Sequence, residues 1–444
     1  MEINTAIVAG TGKSGISATK LLVNHGVKVY LFDENKDRDI EAIKEKTGDS
    51  ELVQIELGEL GEDALSSSQL MVISPGIPVD APFTDVVRNA GIPIWSEIEL
   101  AYHYGKGKIA AITGTNGKTT TTALVGDIVK AHNAKTIVVG NIGIPYTELC
   151  DTTDDDSDTV AEISSFQLET VIDFHPNVSA ILNLTPDHLN RHYTFENYGN
   201  VKFSITKNQT MDDVTVLNYD DEHTRAMGEK AKDHCHVVYF SRLEKPAGGV
   251  YVEDGDIILE DGDKKINVLA IKDLKLMGAH NVENVLAAVG ISYYMGVPVD
   301  VIRDVATSFK AVAHRIEYVD TVDGVAYYND SKGTNPDAAI KGIQAMVAPT
   351  FLIGGGYDKG SEYDEWIEAF DGKVKLLVLI GQTREKIAEC AKKHGMENIV
   401  LADSFEEAMD TCVKAACPGD AVLLSPACAS WGMFPNYEVR GKMF

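Results

Sequence analysis

The chain has 444 residues, 44% hydrophobic and 24% charged, which is ordinary globular usage; at about 150 residues per domain, that length predicts roughly three domains. Its 40 Lys and Arg against 67 Asp and Glu leave a net charge of −27, which argues against a nucleic-acid partner, because a phosphate backbone needs clustered cations. An anionic substrate would need a local positive pocket working against that overall field.

The six cysteines (Cys150, Cys235, Cys390, Cys412, Cys417 and Cys428) include no Cys-x-x-Cys pair, so neither a disulfide framework nor a structural zinc site is expected. The opening MEINTAIVAGTG has no basic stretch ahead of a long apolar run. No apolar stretch reaches the ~18 residues a membrane span needs. A cytoplasmic, reduced protein without membrane insertion is the expectation.

Short apolar runs alternate with helical patterns throughout, the mark of an α/β fold with buried, mostly parallel strands. The first unit reads as a strand at Thr5–Ala9, a Gly-rich turn and helix, then strands at Val27–Phe32, Leu70–Ile73 and Ile92–Trp95. The run YGKGK at 104–108 interrupts the pattern and sets a boundary. The second unit reads as a strand at Ile109–Thr113, a helix from Lys118, and strands at Thr136–Val139, Thr159–Ile163 and Val178–Leu182. Its acidic segment Asp151–Asp158 reads as a solvated loop. Residues 214–271 are rich in strand and turn signals, and a helix is expected around Asn281–Gly290. The third unit begins near Ala311, with strands at Val325–Tyr328, Thr350–Ile353, Lys375–Ile380 and Ala421–Leu424. The expected domains are 1–106, 107–311 and 312–444, the first and third with dinucleotide-fold-like sheets.

Gly10-Thr-Gly12-Lys-Ser-Gly15 is a GxGxxG between strand and helix, with Asp33 ending the next strand. Such glycines let backbone N–H groups approach a diphosphate, so NAD, a UDP-sugar or another diphosphate ligand satisfies the motif. The run TGTNGKTT, Thr113–Thr120, also joins strand to helix. There Lys118 would reach β- and γ-phosphate oxygens and Thr119 would hold Mg²⁺. Ile112 stands where the general P-loop has its first glycine, so the loop is a shortened variant. Glu162 ends one strand beside it, while Asn141 and the group Asp187, His188 and Arg191 each follow another. Strand C-termini are where α/β sheets bind ligands, and hard divalent ions want carboxylate oxygens. Asn281 and Asn284 of GAHNVEN share one side of a helix. The third unit carries His314-Arg315, NDSKGTNP at 329–336 and SPACAS at 425–430. Spacing gives Cys428 no partner histidine, so a nucleophilic role is set aside. Taken alone, Lys202 reads as a surface helix residue.

Together these motifs resemble the Mur ligase family over essentially the whole chain. TGTNGKTT, GNIG at 140–143, the GAHNxxN helix and His314-Arg315 are family-wide features, while NDSKGTNP and LSPACAS resemble the branch whose amino-acid substrate is D-glutamate. The resemblance implies three domains: a Rossmann-like N-terminal domain for the UDP part, a central P-loop domain, and a Rossmann-like C-terminal domain. It implies an ATP-dependent ligase that joins UDP-N-acetylmuramoyl-L-alanine to D-glutamate through an acyl phosphate. That is a cytoplasmic step of peptidoglycan synthesis, serving cell-wall growth, cell shape and division, here by a monomer with small-molecule substrates. Another Mur-type or folylpolyglutamate-type amide ligase is the alternative.

The resemblance also implies roles. Lys118, Glu162, His188 and Lys202 would be catalytic, with Lys202 carbamylated. Two Mg²⁺ ions would sit on Thr119, Glu162, His188 and the Lys202 carbamate. ATP would lie against Gly114, Thr115, Asn116, Gly117, Lys118, Thr119, Thr120, Asn141, Asn284, Arg315 and Asp330. Gly12, Lys13, Ser14, Asp33, Glu34, Ser74, Pro75, Gly76 and Asn141 would hold the UDP substrate. D-glutamate would meet His188, Lys332, Thr334, Ser430 and Tyr437, with Trp431 and Tyr437 departing from the family pattern. A hinge is expected near Lys310–Ala313.

Overall fold

The computed structural model describes residues 3–141, 143–276, 278–310 and 313–444. Ala311 and Val312, where the second boundary and the hinge are expected, lie outside the described residues.

Three sheets form. The first comprises β1 (Thr5–Ala9), β2 (Lys28–Asp33), β3 (Val53–Leu57), β4 (Leu70–Ile73) and β5 (Ile94–Ser96), all parallel in the order β3-β2-β1-β4-β5. The chain turns from one flank to the other at β1, so the Gly-rich turn after β1 opens at the point where the strand order reverses. The second sheet has β6 (Lys108–Thr113), β7 (Ile137–Gly140), β8 (Asp158–Glu162), β9 (Val178–Ile181), β10 (Val214–Asn218), β11 (His236–Ser241), β12 (Gly249–Glu253), β13 (Asp256–Asp261) and β14 (Lys264–Ala270). Its order is β14-β13-β12-β11-β10-β9-β6-β8-β7, parallel from β7 through β12 and antiparallel over the last two pairings. Register puts Glu162 opposite Ile112 on one side and Gly140 on the other, while Thr113 pairs with Ile181. Four parallel strands therefore end at one level.

The third sheet has β15 (Glu317–Val322), β16 (Val325–Asn329), β17 (Thr350–Gly355), β18 (Val374–Ile380), β19 (Ile399–Leu401) and β20 (Ala421–Leu424). Its order is β15-β16-β20-β17-β18-β19, with only β15 antiparallel. The chain packs as two units, Met1–Asp273 with Glu283–Thr307, and Leu274–Val282 with Ser308–Phe444. The first two sheets belong to the former and the third to the latter.

The fold extends the sequence reading at the sheet edges. β3, β15 and β19 were not expected, and all three are edge strands. An edge strand is covered on fewer sides and tolerates polar residues: β3 carries Gln54 and Glu56, β15 is exposed at every residue but its first, and β19 is only three residues long. The acidic segment also needs correcting. Asp158 is buried, opens β8 and accepts a hydrogen bond from Asn133 Nδ2 at 2.8 Å, so only part of 151–158 is a solvated loop.

Candidate active site

The loop between β6 and the helix Lys118–His132 is built for close backbone approach. Gly117, at the helix N-cap, has φ +84, and a Cβ there would stand 2.3 Å from Asn284 Oδ1. Asn183, just past β9, braces the loop: the Asn116 N–H donates to Asn183 Oδ1 (2.8 Å) and Asn183 Nδ2 donates to Asn116 O (3.1 Å). The Thr115 hydroxyl donates to Thr185 O, accepts from Thr185 N–H, and lies 3.2 Å from the Tyr198 hydroxyl. Lys118 folds over the loop, donating to Gly114 O (2.9 Å) and Thr115 O (2.8 Å). Thr121 Oγ1 donates to Asn284 Oδ1 at 3.3 Å, which ties Asn284 to the first turn of the helix Lys118–His132. A helix N-terminus with glycine in place of a side-chain cap directs N–H groups toward an anion.

The neighbouring strand ends bring the expected polar residues to this loop. Glu162 is buried at the end of β8, and Asn141, after β7, donates its amide to Glu162 Oε1 at 3.1 Å. Lys202 corrects the surface reading. It is only 1% exposed, in the helix Phe195–Phe203. Its amine donates to Gly114 O at 2.8 Å and Thr113 Oγ1 at 3.3 Å, and lies 4.8 Å from the Tyr198 ring centre. Burial, reinforced by the nearby Lys118 charge, holds that amine well below the ordinary lysine range, although Asp187 and Glu162 pull the other way. The neutral amine is the favoured form, since desolvation opposes the charged one.

His188 stands at φ +54, outside the regions that non-glycine residues ordinarily occupy. Its ring meets Phe166 edge-on at 4.9 Å, and Asp187 Oδ2 lies 3.5 Å from its Nε2. His192, not singled out from the sequence, is buried beneath it and pairs with Ser165 Oγ at 2.9 Å. Burial, then the charges of His188, Arg191 and Lys202, push its imidazole down to about 4. Arg191 pairs with Glu169 and donates to Ile77 O at 2.8 Å, which ties this segment to the turn after β4.

At the β1 turn, Gly15 is obligatory: a Cβ there would lie 1.8 Å from Gly10 O. Gly12 stands at the N-cap of the helix Lys13–Asn24, with Ser14 in its first turn. Lys13 donates to Gly143 O. Asp33 accepts from the Thr11 N–H (3.1 Å), the Thr11 hydroxyl (2.6 Å), the Asn35 N–H (3.0 Å) and Arg38 Nε (3.2 Å). Burial raises this carboxyl, but those donors and the Arg38 charge hold it below the ordinary range. Asp33 thus shapes the turn itself. Glu34 is exposed, and Ser74-Pro75-Gly76 follows β4 beside Gly10.

In the C-terminal unit the segments after β16 and β20 converge. Asp330 is buried, accepting from the Ser425 hydroxyl (2.7 Å) and the Ile316 N–H (3.3 Å). Burial pushes it up to about 7, against the opposing pull of Ser425 and Arg315. The Lys332 amine lies 5.6 Å from the Tyr437 ring centre, and Thr334 follows in the same turn. Arg440 was missed by the sequence reading. It is 1% exposed and donates to Ser331 Oγ (3.0 Å), Ser331 O (2.7 Å) and Cys428 O (3.2 Å). One guanidinium thereby joins the Lys332 turn, the segment leading to Ser430, and the terminal helix Tyr437–Met443. Lys359, also missed, lies 5.7 Å over the Trp431 ring, one residue past Ser430. A lone lysine in a loop carries no sequence signal of its own. His314, Ile316 and Ala427 all have positive φ, so these segments carry local backbone strain.

Fold and site together define an α/β protein of the P-loop class, its Gly-Lys loop joining β6 to a helix at the ends of the parallel strands of the second sheet. Family models match three successive stretches: the Mur ligase MurD-like N-terminal domain over residues 4–96, the Mur ligase middle domain over 112–292, and the Mur ligase glutamate ligase domain over 314–428. The chain belongs to the Mur ligase family. It is 57% identical over 444 residues to the UDP-N-acetylmuramoylalanine–D-glutamate ligase of Lachnospira eligens, covering 100% of this chain and 98% of that one. The enzyme of that name from Lachnoclostridium phytofermentans is 52% identical, with 99% and 96% covered. Among solved structures, UDP-N-acetylmuramate-alanine ligase MurC from Thermotoga maritima shares the fold at TM-score 0.61 and 18% identity, covering 100% of this chain and 98% of that one. No helix among the described residues is long and apolar enough to cross a membrane.

Proposed function

We propose that this chain is an ATP-dependent ligase that joins D-glutamate to the L-alanyl carboxylate of UDP-N-acetylmuramoyl-L-alanine, releasing ADP and phosphate, as a cytoplasmic step of peptidoglycan synthesis. The observation that carries the reading is identity of 57%, over the whole chain, to a ligase named for that reaction. The residues support it.

The phosphate loop, Gly114 to Thr120, and Lys118 bind and orient the triphosphate, with Asn141, Asn284, Arg315 and Asp330 as further nucleotide residues. The donor set around the loop also fits divalent cations. Glu162 is a buried carboxylate at the right strand end, and Thr119 opens the helix next to Lys118. Thr119 would hold one Mg²⁺, and Glu162, His188 and a carbamylated Lys202 a second. Bound there, the ions would neutralise charge on the phosphoryl group. A neutral Lys202 amine adds to CO₂ and loses a proton, giving an anion with the two oxygens that Mg²⁺ prefers.

With the triphosphate oriented, the substrate carboxylate attacks the γ-phosphorus and ADP leaves. The D-glutamate amine then attacks the acyl carbon, and phosphate departs with one former carboxylate oxygen. Gly12, Lys13, Ser14, Asp33, Glu34 and Ser74-Pro75-Gly76 hold the uridine diphosphate end, on the strand-end face of the first sheet. D-glutamate brings two carboxylates, which need charged or hydroxyl donors. Lys332, Thr334, Ser430 and Tyr437 supply them with His188, and Lys359 adds a second lysine near Ser430. The enzyme works as a monomer in domains 1–106, 107–311 and 312–444.

Phosphate release with ATP, Mg²⁺ and UDP-N-acetylmuramoyl-L-alanine, across a panel of D- and L-amino acids, tests the proposal. Release should require D-glutamate. Equal turnover with L-alanine or L-glutamate would assign the chain to another amide ligase of this family.

A further inference from the structure

We propose that the C-terminal unit carries a second cation site, distinct from the phosphate loop, which takes a borderline-soft divalent ion such as Zn²⁺ on Cys390, His394 and Asp364, with Glu368 beside them. The helix Asp364–Glu368 places its first and last residues four positions apart. The helix Arg384–Lys393 ends with Cys390 and its C-cap, His394, also four apart. Residues at that spacing share one helix face, so Asp364 meets Cys390 and His394, with Glu368 beside the other ring nitrogen of His394. One ligand atom from each of Asp364, Cys390 and His394 lies within 4.8 Å of the others. His394 Nε2 is 3.0 Å from Asp364 Oδ1, and its Nδ1 is 3.7 Å from Glu368 Oε1.

A tetrahedral ion with bonds of about 2.0–2.3 Å needs ligand atoms about 3–4 Å apart, so small side-chain rotations close this cluster around one. The carboxylates face solvent, Asp364 at 57% and Glu368 at 65% exposure, which leaves an entry path. The hydrogen bond between His394 and Asp364 already fixes the ring where the ligand set requires it. Sulfur and imidazole select against Mg²⁺, so the ions serving nucleotide chemistry do not compete here. On binding, the Cys390 thiol gives its proton to solvent as the sulfur–metal bond forms, and nothing is oxidised. Such an ion would staple the two helices. No Cys-x-x-Cys pair marks the site, because its ligands are a Cys-x₃-His pair and one carboxylate from another helix.

The test uses the full-length protein, stripped by chelator, kept reduced with a phosphine, and titrated with Co²⁺ in the absence of Mg²⁺ and nucleotide. A thiolate charge-transfer band in the near ultraviolet, saturating at one equivalent with tetrahedral visible bands, is expected. C390S should abolish the charge-transfer band. H394Q and D364N should each weaken Co²⁺ binding by about tenfold or more. C417S, which alters an exposed thiol elsewhere, should change nothing. Zn²⁺ should raise the unfolding midpoint of wild type and leave that of C390S unmoved. Should C390S fail to fold, the surface variants H394Q and D364N decide by affinity. No band at one equivalent, a band surviving in C390S, or undiminished affinity in both H394Q and D364N overturns the proposal.

Discussion

Lys202 shows how much a single position can hide. Its helix, Phe195–Phe203, gives no sign of burial by pattern, because the amine's hydrogen-bond partner Gly114 is 88 residues away. Only in the folded chain is the amine taken out of water, against Thr113 and Gly114. Without the carbamate oxygens, Lys202→Ala should lose most turnover while ATP affinity changes less. A small carboxylate such as acetate should partly restore Lys202→Ala by supplying oxygen ligands, and should not restore Lys118→Ala, which lacks a cation. Rescue of both variants, or of neither, contradicts the assignment. For Lys332→Ala, kcat/KM for D-glutamate should fall by about 10²–10³, the scale for one well-placed charged donor, with the ATP KM nearly unchanged. A defect confined to ATP would move Lys332 to the nucleotide pocket.

Asp330 yields a pH dependence. Its carboxyl titrates near about 7 when folded, and an unfolded aspartate near about 4. Between those values the folded chain keeps a proton that the unfolded chain has released, so stability falls as pH rises through the window. This contribution is fully present below about 4 and lost above about 7. Asp330→Asn cannot titrate, so the difference in unfolding midpoint between wild type and variant should shift in favour of the variant across that range. A constant difference would show that Asp330 is already ionised in the fold.

At the scale of elements, the interior strands and the edge strands β5 and β7 were legible, while the edge strands β3, β15 and β19 were not. Thr5–Ala9, Leu70–Ile73 and Ala421–Leu424 match the sequence reading residue for residue, because strands covered on both faces are continuous apolar runs. β3, with Gln54 and Glu56, and the exposed β15 have no such run. Gly-rich turns between strand and helix marked both candidate ligand loops, since the turn, its glycines and the helix that follows are local in sequence. The clasp made by Arg440 is not local: its partners are Ser331, 109 residues away, and Cys428. Arg440→Ala strands those buried acceptors and should cost the C-terminal unit about 3 kcal/mol. Denaturant unfolding should show it as a lower midpoint for that unit. Arg440→Lys keeps a cation but loses the planar fork, and should recover only part of the loss. An unchanged midpoint in Arg440→Ala would show that the clasp is dispensable.

For the whole molecule, a net charge of −27 disfavours polyanionic partners, yet the proposed substrates are themselves anions. Local cations must then offset that field, and the candidates are Lys118 after β6, Lys13 at the β1 turn, and Lys332 and Lys359 in the C-terminal unit. The central claim is that this chain activates the L-alanyl carboxylate as an acyl phosphate before D-glutamate attacks it. The most direct measurement places ¹⁸O in both carboxylate oxygens of UDP-N-acetylmuramoyl-L-alanine. Phosphate formed with ATP and D-glutamate is then read by its ³¹P isotope shift. Each phosphate should carry a single ¹⁸O from the substrate; phosphate free of ¹⁸O, formed alongside amide product, would contradict the account.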